Sequence, residues 1–437
     1  MRKQILRPIL ALLLSGIIGA TAFAQDPIKS NRNVGQAGLN QFETPKEDYS
    51  DFDGVKVKLG GDFALQFQGL DHSNDAQDVL GADGSVLVNN TLKEIQPYFN
   101  NATANMNIDV QLAPGVRMNL VTYLSSRHHT EAWVKGGYIQ FDALPFLNSE
   151  LVDKIMKDVT IKVGHMEINY GDAHFRRTDN GNAIYNPFVG NYIMDAFATE
   201  IGAEVYYRKN NIIGMIGVSN GEIKGDVVKV DDRQPSVYGK LGYDNQVDED
   251  LRLRLTGSFY ANSGYNRNTL YAGDRTGSRY YYVMANTEAS SSAAFTTGRF
   301  SPGFNKVTSF MINPFVSYKG IEFFGTYEHT AGLARQNDEE TLEDGGYTQL
   351  AADLLYRFGE NDNFYIGGRY NQVKGNATGD ADEVTINRYQ IGAGWFLTNN
   401  ILAKVEYVNQ EYKDFAENNI LYGGRFNGVM VEAVIGF

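Results

Sequence analysis

The sequence predicts an all-β fold: a transmembrane antiparallel up-and-down β-barrel of about 16 strands, with an inward-folded constriction loop. Three observations predict it. Period-2 alternation of apolar and polar residues recurs from residue 55 to the end of the chain. Tight turns of Gly, Asn, Asp and Pro alternate with long polar connections, as hairpins with turns on one rim and loops on the other require. The apolar strand faces, rich in Leu, Val, Phe and Tyr, have no second protein layer to cover them, which leaves lipid. A sheet in hydrocarbon must then close on itself, because each unpaired backbone amide there costs several kcal/mol.

Two segments precede the barrel. Arg2, Lys3 and Arg7 lead into the apolar run Ile9 to Ala22 and the small-x-small sequence Ala22-Phe23-Ala24. This predicts a secretory signal peptide, residues 1–24, cleaved between Ala24 and Gln25. No later window approaches the roughly 20 apolar residues of a membrane helix. The chain has no cysteine, so nothing in the exported protein depends on disulfides. Residues 25–54 are polar and too few for a plug domain; they read as a periplasmic leader, either flexible or partly occluding a pore. The barrel takes residues 55–437.

Strand segments fall near 55–70, 94–112, 115–125, 131–142, 159–170, 200–209, 211–219, 235–243, 249–261, 307–318, 320–331, 346–358, 362–374, 384–397, 400–412 and 423–437. "VKVKLGGDFALQFQ" shows the pattern: Val55, Val57, Leu59, Phe63, Leu65 and Phe67 on one face, Lys56, Lys58, Asp62, Gln66 and Gln68 on the other. "LAPGV", "RKNN", "YKGI", "FGEND" and "LTNN" are the tight turns, and 71–91, 171–199, 219–234, 262–306, 332–345, 375–383 and 413–422 the long connections. "SSRHHTE" is short for the long class and 143–158 long for the short class; the latter holds a helical-period stretch, Leu147 to Asp158. Tyr98, Phe99, Phe141, Tyr170, Phe259, Tyr260, Tyr318, Tyr356, Phe358 and Trp395, near strand ends, suit interfacial aromatic girdles.

The connection "GDAHFRRTDNGNAIYNPFVGNYIMDAFA" (Gly171 to Ala198) is too apolar to wave in solvent. Folded inside the wall it would narrow a pore and hold Asp172, Arg176, Arg177 and Asp179 near the constriction. The polar strand faces give the pore lining: Arg117, Lys162, Arg252, Arg254, Arg369, Arg388 and Lys404 among the cations, Glu406 among the carboxylates. Opposed basic and acidic sides would set a transverse field, and a modest basic excess would favour anions. The bland version is that these charges pair and hydrate the wall. The outer loops are acidic, with Asp71, Asp75, Asp78 and Asp83 in one, Asp338, Glu339, Glu340, Glu343 and Asp344 in another, and Asp380, Asp382 and Glu383 in a third.

Signal peptide, strand number, turn–loop alternation and the terminal "VMVEAVIGF", which ends on Phe437, together resemble a bacterial outer-membrane porin. The layout of Val116 to Lys209, hairpins leading to a long inward loop, resembles the phosphate-selective (anion-selective) porin superfamily. The resemblance implies location in the cell outer membrane, with Phe437 as the assembly signal read by the barrel-assembly machinery. It also implies contact with outer-membrane lipids and lipopolysaccharide, passage of small hydrophilic solutes, and a homotrimer as the common assembly of the class.

Other chemistry lacks a pattern. His128-His129 are adjacent and point opposite ways on a strand, so no metal site is expected, and no cofactor motif appears. "GAGWF" lacks the helix that dinucleotide binding needs. His165, Glu167, Asp172 and His174 have no Ser or Thr nucleophile beside them, so no enzyme is expected. The net charge of −13 and the absence of a basic stripe argue against nucleic acid. The reading is a passive diffusion channel for small hydrophilic solutes with an anion (phosphate-like) preference. The alternative is a non-conducting outer-membrane barrel that acts as a structural or surface-interaction protein, with loops 71–91 and 262–306 as its binding parts.

Overall fold

The computed structural model describes residues 32–46, 52–100, 102–125, 132–223, 225, 227–229, 233–264, 268–272, 276–291, 293–334 and 343–437. The signal-peptide cleavage at Ala24 and Gln25, His128-His129, and Asp338, Glu339 and Glu340 lie outside the described residues.

Among the described residues, sixteen strands form a closed antiparallel barrel. They are β1 (Lys56–Ser73), β2 (Thr103–Ala113), β3 (Val116–Ser125), β4 (Ala132–Phe141), β5 (Val159–Glu167), β6 (Thr199–Lys209), β7 (Ile212–Ser219) and β8 (Ser236–Gln246). The second half comprises β9 (Leu251–Asn262), β10 (Lys306–Tyr318), β11 (Ile321–Leu333), β12 (Asp344–Phe358), β13 (Phe364–Thr378), β14 (Val384–Thr398), β15 (Ile401–Lys413) and β16 (Arg425–Gly436). Each pairs with the next, and β16 pairs with β1 from Gly436 opposite Asp62 to Arg425 opposite Ser73. Phe437 finishes the seam: its N–H donates to the Gly61 carbonyl and the Gly61 N–H donates to its carbonyl, both at 2.9 Å.

Alternation in sequence becomes alternation in burial. Along β12, Gln349, Ala351, Asp353 and Leu355 face inward, while Leu350, Leu354 and Tyr356 face outward and lie about half exposed. The outward apolar side chains make a band that only lipid can cover. No helix among the described residues is long and apolar enough to cross a membrane. The connection at 143–158 carries α1 (Glu150–Met156), whose N-cap Ser149 side chain accepts from the Val152 N–H.

The structure corrects two details. Residues 94–112 are not one strand: β2 starts at Thr103, and Tyr98 and Phe99 pair separately with β1 at Gln68 and Phe67. Pro97, which has no N–H to give a ladder, immediately precedes that short pairing. Tyr170 and Tyr260 do not belong to the girdles; both are buried in the interior. Neighbouring residues on a strand point to opposite faces, so with Phe259 outward Tyr260 must point in.

Ile391, on the outer face at the middle of β14, is 68% exposed to the lipid side. Ile391→Lys should destabilise the folded barrel by about 2–4 kcal/mol. Leu80→Lys, in an exposed outer loop, should change stability by less than about 0.5 kcal/mol. Denaturant unfolding of the protein in liposomes measures both.

Candidate functional site in the barrel interior

The interior is filled by chain rather than left as an open tube, and this explains its polar lining. The loop between β5 and β6, residues 168–198, lies inside the wall with Ile184, Phe188, Val189, Ile193 and Met194 buried. Its backbone groups are out of water and need partners, which the strands supply. Lys404 donates to the carbonyls of Ala183, Asn186 and Phe188 at 3.0, 3.2 and 3.1 Å. Glu406 accepts from the Val189 and Gly190 N–H groups at 2.7 and 3.2 Å. Asn371 and Gln349 accept from the Ile193 and Met194 N–H groups. Gly392 on β14 leaves room for the Phe188 ring, which a Cβ would meet at 3.1 Å.

The four residues expected at the constriction are all in this loop, and each has a partner. Asp172 accepts from Lys240, Arg254 and Thr256, with the shortest contacts at 2.8 Å. Arg176 donates to Asn40 and lies 3.4 Å from Glu322. Arg177 pairs with Asp195 of the same loop at 2.7 Å and lies over the Phe197 ring. Asp179 pairs with Lys135 of β4.

The expected lining residues all sit on the inner face. Arg117 pairs with Asp142 at 2.9 Å, Arg252 with Asp244 at 2.7 Å, Arg369 with Asp353 at 2.6 Å and Lys404 with Glu432 at 2.5 Å. Arg254 bridges Asp172, Asp244 and Glu43. Arg388 is fully buried without a carboxylate partner among the described residues; it donates to Gln410 and to the Asn191 and Gly298 carbonyls. Lys162 stands apart: it has no ion pair among the described residues and lies 4.1 Å over the Tyr138 ring. The expectation of opposed basic and acidic sides is therefore corrected. Most of these cations pair locally with carboxylates, because a buried charge without a counter-charge is costly, while Arg388 and Glu406 are received by backbone groups.

Two further segments enter the interior. Residues 32–46 lie inside the barrel at the rim of the tight turns. Phe42 is buried against Phe175 and Phe315, and Glu43 reaches Arg254 at 2.9 Å and Lys240 at 3.3 Å. Burial opposes the charge on Glu43, but Arg254 and Lys240 override it and hold the carboxyl well below its usual range. The Gln36 N–H donates to the Asn399 carbonyl of the turn between β14 and β15, and Asn40 donates to Glu322. The long connection between β9 and β10, expected as an outer binding loop, also turns inward. There Arg279 pairs with Glu432 at 2.9 Å and Tyr280 donates to Glu406 at 2.6 Å. The two loops bond to each other: Phe300 N–H donates to the Ile193 carbonyl, and Phe197 N–H to the Leu270 carbonyl.

Sequence reasoning missed Lys240, Glu43, Lys135 and Arg279. Lys240 was within reach, since it shares the inward parity of Tyr238 opposite the exposed Val237 and Leu241. Glu43 and Arg279 lie in aperiodic chain, where no pattern marks a buried charge.

Between the first loop, residues 32–46 and the wall of β3–β6 remains a cavity of about 230 Å³. Lys162, Lys135, Arg177 and Arg32 face it, as do Glu43, Glu167 and Asp179, together with the rings of Tyr138, Phe175 and Tyr185.

Removing one member of a buried pair strands the other. Among the described residues, Asp353→Ala leaves Arg369 with the Gly190 carbonyl as its one hydrogen-bond acceptor. It should cost about 3–5 kcal/mol in denaturant unfolding, and Asp353→Ala with Arg369→Ala should recover part of that loss.

No protein-family model matches the chain, and no curated protein matches it. Solved structures match in fold. The anion-selective porin from Comamonas acidovorans is 10% identical, with 88% of this chain and 100% of that one covered and a TM-score of 0.51. The outer membrane channel DcaP of Acinetobacter baumannii is 12% identical, with 88% and 98% covered and a TM-score of 0.49. OmpT of Vibrio cholerae, outer-membrane expressed, is 10% identical, with 89% and 99% covered and a TM-score of 0.49. With sixteen strands, a closed seam and an apolar outer band, the chain has a porin-like fold, that of an outer-membrane β-barrel.

Proposed function

We propose that the protein is a passive diffusion channel of the outer membrane for small hydrophilic solutes, with a preference for anions. The observation that carries this reading is the 230 Å³ cavity left between the inward chain and the β3–β6 wall. Elsewhere in the interior, most cations are paired with carboxylates or, like Arg388, received by carbonyls. Here Lys162 projects an ammonium without a carboxylate partner among the described residues, beside Lys135, Arg177 and Arg32. These four cations and three carboxylates, Glu43, Glu167 and Asp179, face the cavity, and a lining with a cationic excess admits anions more readily than cations. Asp172, Arg176, Arg177 and Asp179 then act through position: their pairs fix the loop that sets the width. The chain is read as exported by a signal peptide, residues 1–24, and Phe437 as the signal for the barrel-assembly machinery. It carries no catalytic role in this reading.

Residues 32–46 are read as a stopper on the channel. Its hold includes the buried Phe42 and the Glu43 charge cluster. The depth of this filling also favours the second reading, a non-conducting structural barrel. Conductance decides between them.

In planar bilayers the channel reading expects discrete conductance steps, and the structural reading expects none. In a salt gradient Lys162→Ala should move the reversal potential away from the anion side, and so should Arg176→Ala with Arg177→Ala; an unchanged potential in the double variant refutes the constriction role of the loop. Phe42→Ala with Glu43→Gln should raise the step size. Because the docked Glu43 carboxyl ionises below its ordinary value of 4.5, its contribution to docking is complete above that pH and is lost as the pH falls through the lowered value. The step size of the unaltered protein should therefore stay constant from neutral pH to about 4.5 and rise only below it.

A further inference from the structure

Residues 41–46 lie inside the wall in the way a bound peptide would. They form neither helix nor strand. Among the described residues, no backbone group from Phe42 to Lys46 pairs with another backbone group. Side chains of three wall strands receive the carbonyls instead. Arg252 of β9 donates to Asn40 at 2.8 Å, Arg117 of β3 to Pro45 at 3.1 Å, and Arg208 of β6 to Thr44.

Two side chains of the segment fill built places. The Phe42 ring packs edge-on against Phe175 and Phe315, with centroids 5.9 and 5.4 Å apart. The guanidinium groups of Arg252 and Arg254 lie 5.3 and 4.3 Å from its centre. Next to it, the Glu43 carboxylate accepts from Arg254 at 2.9 Å, Lys240 at 3.3 Å and the Asn169 amide at 3.4 Å. Among the described residues, the carboxylates bonded to Lys240, Arg252 and Arg254 are Asp172, Asp244 and Glu43. Asp172 and Asp244 belong to the barrel, but Glu43 belongs to the leader. Its withdrawal leaves three cations with two carboxylates, a site one anion short.

The place becomes reachable when the segment leaves. Phe42, Glu43 and Thr44 themselves line the 230 Å³ cavity. Their departure joins their own volume to it, and the nitrogens that Glu43 covers then face the joined space. The lining selects the occupant. An inorganic anion meets Lys240 and Arg254 but leaves the ring site between Phe175 and Phe315 empty. A simple arene leaves the cations one carboxylate short. An aromatic residue followed by an acidic one, on a backbone whose carbonyls the three arginines receive, meets every requirement. We propose that the barrel interior holds a binding site for short peptides of this kind, and that Phe42 and Glu43 occupy it as a built-in competitor. The inference rests on the reading of residues 32–46 as a stopper that can leave.

The test uses the full mature chain in detergent, unaltered and as the Phe42→Ala with Glu43→Gln variant, which empties both places. Calorimetry is run with N-acetyl-Phe-Glu-amide, with its Phe-Gln and Ala-Glu counterparts, and with inorganic phosphate. The variant is expected to bind the Phe-Glu peptide at least about tenfold more tightly than the unaltered chain does. It should bind both counterparts and phosphate at least about tenfold more weakly than that peptide. Equal affinity of the two chains overturns the inference, because the peptide then binds elsewhere. Equal affinity for the three peptides, phosphate bound as tightly as the Phe-Glu peptide, or no binding at all overturns it too. Glu43→Gln alone, which should also bind the peptide more tightly than the unaltered chain, keeps the inference falsifiable where the double variant fails to fold. The step size of the same variant in planar bilayers is read separately. Raised steps without peptide binding sink this inference and leave the stopper standing. Peptide binding with unchanged steps supports the site and refutes the stopper's role in conductance.

Discussion

The backbone amides of the wall and of the inward-folded chain must find partners without help from bulk water, and the architecture follows from that constraint. In the wall the requirement closes the sheet, from the first pairing of β1 with β2 to the seam of β1 with β16. In the interior it acts again on the two long connections that turn inward. Neither forms a sheet of its own, so their N–H and C=O groups bond to wall side chains such as Lys404, Glu406, Asn371 and Gln349. The inner face is polar for this reason before any solute is considered.

The same logic governs the charges. A lysine or arginine deep in the barrel costs free energy unless a carboxylate or several carbonyls receive it. The structure supplies both solutions. Arg369 meets Asp353 and Arg117 meets Asp142, while Arg388 is received by the carbonyls of two separate loops. What distinguishes the β3–β6 side is that the filling stops short there. Lys162 lies over the face of Tyr138, where a ring quadrupole takes the place of a carboxylate.

Much of the fold was legible because lipid on one side and polar chain on the other force a strict two-residue period. That period places Arg254, Arg369, Arg388, Lys404 and Glu406 on the inner face from sequence alone. The apolar content of Gly171 to Ala198 likewise announced a buried loop. Partners were not legible. Asp172 meets Arg254 across 82 residues of sequence and Glu43 meets it across 211, and periodicity carries no information over such distances. The inward turn of the second connection was hidden for a related reason: its Tyr and Arg side chains suit a binding surface as well as a buried network, and only Glu432 and Glu406 opposite them decide which.

The placement of the staples has a consequence for how the molecule assembles. The loop after β5 is held by Lys404 and Glu406 on β15, and Val189 is 217 residues from the glutamate that receives its amide. Contacts of such separation form late, because the intervening chain must first be ordered. Until those contacts form, Ile193, Phe188 and Val189 lack the wall that buries them. A nascent barrel of this kind passes through a stage with a sticky inner lining, and whatever escorts it to the membrane must shield that lining as well as the lipid-seeking outside.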